Sequence, residues 1–491
     1  MTPPGPRHAA ATPTGRPTPV VTARRRPALP RRDADDPRRP RHRRRAAPVR
    51  RTRTRTVPGR IRLMSGLGVA AVVLLFGATA IAIGHARDGL NVIGHTAGPQ
   101  VVATADLYFA LSDMDGQVAT ILLTGNEASL GPGRQAMLDR YEERRSQADR
   151  AVLQAADLAG DDPTEQATVR AVLDGLGRYE RLAARALLLD EQSGHPAGPP
   201  SQAVLDIYRQ ATDLMRLDLL PKAYNLTLDS ATIVRHAYLG ELSAVTTGRI
   251  AVAATGLLAL VLLIVLQVYL SRGFRRTINV PLLAATLVAG GLTVAGVVVL
   301  QREADALTQA KDGGFNSVLA LSRARAIGNT LHGDQSRYLL DPERADTYEQ
   351  VYLDKSQSVL YVPAGNLDKY HTAVGDLKAA GAQDGLGFLD VEAAGGLGMP
   401  GQRAAFDDLL SRYKDFQRAD GDMRRAATGG SRREAVRQAM GPTFAAYDQA
   451  LVGLTTLHRL EFERAVRAGD GTLAGWDLVP PRRRSPPPCC S

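Results

Sequence analysis

The chain has 491 residues, of which 61 are Lys or Arg and 50 are Asp or Glu, and its net charge is +11. The positive charge is concentrated at one end, because residues 1–63 hold 19 Arg and three Asp. No aromatic residues lie among these arginines, so we expect anionic lipid as their partner and no nucleic acid. The cysteines, Cys489 and Cys490, are adjacent, which excludes a disulfide framework elsewhere in the chain.

Three uncharged apolar runs are each long enough to cross a membrane as a helix of about 20 residues. They predict a division into a disordered basic cytoplasmic tail (1–63), transmembrane helix 1 (64–84), a helical bundle (85–249), transmembrane helix 2 (250–270), a cytoplasmic loop (271–280), transmembrane helix 3 (281–300), a second helical bundle (301–478) and a low-complexity tail (479–491).

The placement of arginine predicts the orientation. The N-terminal tail and the short loop between the second and third runs are rich in arginine, and such segments remain cytoplasmic. The two long segments are mildly acidic, with 15 basic against 22 acidic residues in 85–249 and 21 against 25 in 301–478. We therefore expect a multi-pass plasma-membrane protein whose two long segments are extracytoplasmic.

The first long segment carries apolar residues at alternating three- and four-residue steps, as in helices packed in a bundle. The stripes are Leu107, Leu111, Met114, Val118 and Ile121; Met137, Tyr141, Ala148 and Val152; Val169, Val172, Leu176, Tyr179 and Leu182; and Val204, Tyr208, Ala211 and Met215. Asp162 before Pro163 predicts a helix start, and Pro221 predicts a kink or an interruption. The pattern indicates an up-and-down four-helix bundle.

The second long segment repeats this plan loosely. A helix continues from the third apolar run to Leu340, and further helices are predicted at 343–360, 367–380, 403–427 and 431–469. Seven glycines predict a loop at 381–401. The fold class is thus an all-α membrane protein with transmembrane helices and two extracytoplasmic four-helix-bundle-like domains.

The cytoplasmic loop offers one candidate docking surface. The loop holds an aromatic residue among cations, and an exposed aromatic residue of this kind can anchor a partner protein. The candidate docking surface consists of Arg272, Phe274, Arg275 and Arg276. The alternative is that these arginines only determine topology.

A candidate ligand contact lies in the second bundle, where Arg323, Arg325 and Arg337 could hold a carboxylate. The alternative is that these arginines lie on a solvated helix face, and that one of them packs its aliphatic stem on apolar surface while its guanidinium stays in water. No nucleotide-binding, metal-binding or catalytic motif occurs in the sequence. We therefore expect that the protein is not an enzyme and that it has no catalytic site, no metal site and no cofactor.

Two features of the ends leave alternatives open. Residues 480–491 are rich in Pro and Arg and stand where a fourth membrane helix is expected. They are interpreted either as a frameshift product or as a true short basic tail. Translation starts at either Met1 or Met64.

The residues 107–115 (LYFALSDMD) and 122–125 (LLTG), with 332–336 (HGDQS) and Tyr348-Glu349, resemble an actinobacterial family of multi-span membrane relay proteins. The family links a periplasmic amino-acid-binding lipoprotein to a soluble Ser/Thr protein kinase. The resemblance implies those two partners, but it transfers no functional residue. The bundles also resemble, more distantly, the four-helix sensor modules of chemoreceptors.

Two functions follow from these patterns. The first is a non-enzymatic membrane signalling protein that senses an extracytoplasmic ligand, or a liganded binding protein, and passes the signal to a cytoplasmic partner. The alternative is a structural or envelope-organising membrane protein whose helical bundles bind partners. A transporter is not expected, because the three apolar runs contain no charged residue.

Overall fold

The computed structural model describes residues 57–91, 94, 98–127, 129–130, 133–159, 162–274, 279–377, 387–394 and 397–474. These residues are almost entirely helical and contain no strand, which confirms the all-α prediction. The α-helices are α1 (Val57–Asn91), α2 (Gly98–Thr124), α3 (Arg134–Ala159), α4 (Pro163–Ser193), α5 (Gln202–Leu214), α6 (Leu220–Phe274), α7 (Val280–Thr308), α8 (Asn316–Leu340), α9 (Ala345–Val359), α10 (Leu367–Asp376), α11 (Phe388–Ala394), α12 (Gln402–Thr428), α13 (Arg432–Ala439) and α14 (Thr443–Leu473).

Within the described residues, three helices are long and apolar enough to cross a membrane. They are Pro58–Asn91, Tyr238–Arg272 and Val280–Leu340, and the last consists of α7, a π-helical segment at Gln309–Phe315 and α8. Small residues let these helices approach closely, as is common in membrane proteins. Gly256 of α6 lies against Thr293 of α7, and Gly248 of α6 lies against Ala82 of α1.

The first long segment forms its helices from the predicted stripes. Leu111, Met114, Val118 and Ile121 have no exposed surface, and the other three stripes are also buried or nearly so. Asp162 caps α4, because its Oδ1 accepts a hydrogen bond from the Thr164 backbone N–H at 2.8 Å. The α-helix is interrupted next to Pro221, as predicted. A π-helical turn, Met215–Leu219, ends two residues before the proline and separates α5 from α6.

The second long segment has an aromatic core. Tyr352, Tyr370, Tyr413, Phe416 and Tyr447 have no exposed surface. Two sequence-based expectations are corrected here. The helix expected at 431–469 is divided into α13 and α14, because Pro442 cannot continue a helix. The range expected to be a loop at 381–401 contains α11, whose Leu389 packs into the aromatic core.

The two long segments join where α2 crosses α8. Gly116 and Gly333 meet at the crossing, and a Cβ atom on Gly333 would lie 3.2 Å from the Gly116 Cα. On either side, the Ser112 and Thr330 hydroxyls are 2.7 Å apart and the Thr120 and Ser336 hydroxyls are 3.1 Å apart. The backbones can approach this closely because neither glycine carries a side chain.

Candidate functional site

A cavity of about 550 Å³ lies where α2, the start of α6, α8 and α9 meet. A π-helical turn, Met215–Leu219, joins α5 to α6 beside it. Such turns are frequent at functional sites, because the wider turn re-aims its side chains. Here it contributes Arg216 and Leu217 to the cavity wall.

Most of the cavity wall is apolar. Two tyrosine rings, Tyr108 of α2 and Tyr224 of α6, meet edge to face with their centroids 6.0 Å apart. The aliphatic and phenyl groups of the wall are those of Ala105, Leu217, Leu220, Pro221, Ala326, Ile327, Val351 and Phe388. A volume of this size and this lining are typical of a small-molecule site.

Three cations complete the wall, and no acidic residue is among its described lining residues: the cations are Arg216, Arg323 and Lys355. The Arg323 guanidinium lies 5.7 Å from the centroid of the Tyr224 ring, and its Nε is buried without a hydrogen-bond partner among the described residues. The Arg216 guanidinium lies 5.3 Å from the centroid of the Tyr348 ring. The Arg323 guanidinium forms no ion pair among the described residues, so a ligand with a negative charge would be stabilised beside it.

A buried charge network lies next to the cavity. Arg337 of α8, only 1 % exposed, donates to the Asp115 carboxylate of α2 and to the Asp334 carboxylate, both at 2.6 Å. Its Nε donates to the Tyr208 hydroxyl at 3.1 Å. The Thr212 hydroxyl donates to Asp115 at 2.7 Å. Buried charges of this kind are tolerated when they are paired and hydrogen-bonded.

Lys355 connects the cavity to the network. Lys355 lines the cavity, and its ammonium lies 3.0 Å from the Asp334 carboxylate. Burial, together with the nearby Arg216 and Arg337 charges, lowers the pKa of Lys355 to about 8, although Asp334 opposes the shift. With Lys355 protonated, the network holds two carboxylates and two cations and is neutral.

The structure separates the three arginines that the sequence grouped as a ligand contact. Arg323 lines the cavity. Arg325 pairs with Asp448 at 2.6 Å and stacks on Phe109 instead. Arg337 is buried in the network, so the interpretation as a solvated helix face is wrong for this residue. Helical residues two positions apart point in different directions, and this is why Arg323 and Arg325 face different surroundings.

The predicted docking surface of the loop is described only in part. Arg272 lies exposed in the last turn of α6, and Phe274 is the last residue of that helix. The Phe274 side chain, Arg275 and Arg276 lie outside the described residues, as do residues 1–56 and 475–491. The prediction of a disordered tail is wrong for residues 57–63, which form the first turns of α1 because they continue directly into the apolar run. Within the described part of the chain, no group of His, Cys, Asp or Glu side chains could hold a metal ion.

Sequence reasoning missed Arg216 and Lys355 in the cavity wall and Asp115 and Asp334 in the network. Asp115 carried a signal, because it lies four residues after Leu111 and three before Val118 and so is a charged residue on the apolar helix face. Asp334 and Arg337 also carried a signal, since oppositely charged residues three positions apart share a helix face and can form an ion pair. Arg216 and Lys355 had no such signal, because nothing near them in the sequence marks the cavity.

Comparison with known proteins places this site at the edge of a recognised domain. Residues 89–239 match the family model described as the actinobacterial sensor domain. No curated protein and no solved structure matches the chain. The matched range covers α2 to α5, the π turn and the first part of α6, and so includes Asp115 and Arg216. Over this range the chain is therefore similar to actinobacterial sensor domains, and the range ends at the start of the second membrane-length helix.

Proposed function

We propose that the protein is a non-enzymatic membrane sensor, which detects an extracytoplasmic signal at the cavity and relays it to a cytoplasmic partner. One observation carries the proposal. The cavity wall combines residues of the sensor-like range 89–239 with residues of α8 and α9, and α8 connects through a π-helical segment, Gln309–Phe315, to the membrane-length helix α7. A change in the cavity therefore acts directly on a helix that enters the membrane.

The helices provide two routes for such a relay. Leu220 and Tyr224 line the cavity in the first turns of α6, and this helix continues without a break to Phe274. On α8, Ser322 lines the cavity and lies 22 residues after Leu300, the last residue of the third apolar run. At a rise of about 1.5 Å per residue, the cavity lies about 30 Å outside that run. Helices that connect the cavity to the membrane-length segments in this way can transmit a displacement.

The proposed orientation and partners rest on the sequence. Arginine-rich segments before α1 and after α6 favour a cytoplasmic location for both. The cavity then faces outside, where the proposed extracytoplasmic partner is an amino-acid-binding lipoprotein. Inside, the proposed partner is a Ser/Thr kinase docked on the Arg272 loop, with anionic lipid holding the basic tail.

An envelope-organising role is the second candidate, and exposed apolar residues favour it. Leu153 of α3 and Leu188 of α4 are 63 % and 55 % exposed. Isolated exposed leucines are common on protein surfaces, whereas the cationic cavity has no explanation in a purely structural protein. We therefore prefer the sensor.

Hydrogen exchange of the full chain in lipid nanodiscs tests the relay. A small-molecule extract of the host's culture medium should slow exchange at 215–227 and 322–327 and also alter exchange in the loop at 271–280. Ser322→Trp, which fills the cavity, should abolish both changes. Protection at the cavity without any change at the loop would contradict the relay and favour the envelope-organising role.

A further inference from the structure

We propose that the cavity binds an organic carboxylate with an apolar aliphatic or aromatic body of up to roughly drug size. This inference rests on the proposed sensor function and specifies the ligand of the same cavity. It combines two features of the wall, which are its cations without acidic neighbours and its apolar surface.

The charge of the wall selects an anion. Arg216 and Arg323 each lie over an aromatic ring, and neither forms an ion pair among the described residues. Lys355 is neutralised by Asp334, so two cationic charges remain for a ligand. A charge-assisted hydrogen bond to such a donor is stronger than a neutral one.

The backbone of the wall favours a carboxylate over a phosphate. Phosphate sites usually use several free backbone N–H groups at helix starts or in glycine-rich loops. The wall residues Arg216, Arg323 and Lys355 lie inside helical turns, where the backbone N–H groups bond within the helix. Only side chains are left to donate, and a few side-chain donors suit the two oxygens of a carboxylate.

The remaining surface selects the body of the ligand. Leu220, Ile327, Val351 and Phe388 surround the cavity with apolar groups, while Ser322 and Ser358 contribute a few hydroxyls. A strongly hydrated anion would lose its water without replacement there. An apolar body gains by leaving water, so the carboxylate that fits is an apolar one.

Isothermal titration calorimetry of the full chain in nanodiscs tests the ligand class, with empty nanodiscs as the control for lipid partitioning. The probes are octanoate, 4-phenylbutyrate and indole-3-acetate, each beside its neutral amide. At least one carboxylate should bind one to one and about tenfold or more tighter than its amide. The proposal is overturned if no carboxylate binds more tightly than its amide.

Two variants on α8 locate the site. Arg323→Gln should weaken carboxylate binding about tenfold, and Arg323→Lys should retain most of it. Arg325→Gln removes the same charge two residues away, at the Asp448 pair, and should leave binding unchanged. Equal weakening by Arg323→Gln and Arg325→Gln would overturn the proposal, because the effect would then be one of net charge.

Circular dichroism of each variant checks the fold. Should Arg323→Gln unfold, Ser322→Trp replaces it: loss of carboxylate binding supports the site, and full binding overturns it. The titration is independent of the relay. Loss of the carboxylate preference with an intact response at 271–280 would refute the ligand class alone, whereas binding without that response would refute the relay alone.

Discussion

Replacement of Arg337 by methionine should lower the free energy of unfolding by about 3–5 kcal/mol, the usual cost of removing one partner from a buried ion pair. Arg337 is 1 % exposed and donates to two carboxylates at 2.6 Å. Methionine fills similar space but provides no donor. Asp115 would then keep only the Tyr179 and Thr212 hydroxyls, and an uncompensated buried charge would remain.

Urea titration of the full chain in nanodiscs, followed by helical circular dichroism, measures this loss from the shift in midpoint and the slope. Arg344→Met is the matched control. Arg344 also joins the two long segments, through Asp213 at 2.9 Å, but its side chain is 38 % exposed. Its loss should cost less than about 1 kcal/mol. Equal costs for Arg337→Met and Arg344→Met would refute the reasoning that burial determines the contribution of the network.

A double substitution gives a second check. Arg337→Met combined with Asp115→Leu removes one charge of each sign, so the two losses should not add. The double variant should be more stable than the sum of the single losses predicts. Additive losses would show that Asp115 and Arg337 do not interact as the 2.6 Å distance indicates.

Four further predictions follow. Carboxylate affinity should fall as the pH rises through about 8, because Lys355 loses its charge there, and Lys355→Met should remove this dependence in calorimetry. Gly333→Ala should destabilise the crossing by about 1–3 kcal/mol in urea titration, because its Cβ would lie 3.0 Å from the Arg337 guanidinium. In intact cells, a cysteine at Ser193 should react with an impermeant reagent and one at Arg272 should not; the reverse pattern would invert the orientation. Phe274→Ala should weaken capture of a cytoplasmic partner without affecting membrane insertion, and unchanged capture would exclude the loop as the docking site.

The helices were largely predictable from the sequence, because a helix buries one face and its apolar residues recur along the chain. The stripe from Leu107 to Ile121 is buried as expected, and Asp162 caps α4. The sequence-based prediction of secondary structure was wrong where a local pattern fitted both a loop and a helix. Glycines at 381–401 indicated a loop, but α11 forms there because Leu389 gains burial in the aromatic core.

The candidate site was predictable only in part. The sequence suggested a carboxylate contact at Arg323, Arg325 and Arg337, and Arg323 does line the cavity. The other cations of the wall, Arg216 and Lys355, come from other helices and could not be assigned to it. Their roles depend on which helix faces meet, and helical periodicity does not specify the partner of a face.

By itself, the sequence determined the helical class and the three membrane-length runs, because these depend on composition and spacing within about 20 residues. The tertiary structure alone decided that α2 crosses α8 at Gly116 and Gly333. That crossing pairs Asp115 with Arg337, which lie 222 positions apart in the chain. The physical reason is that a charge pair and a cavity wall require residues brought together by packing, and packing depends on the shapes of whole helices rather than on any local pattern.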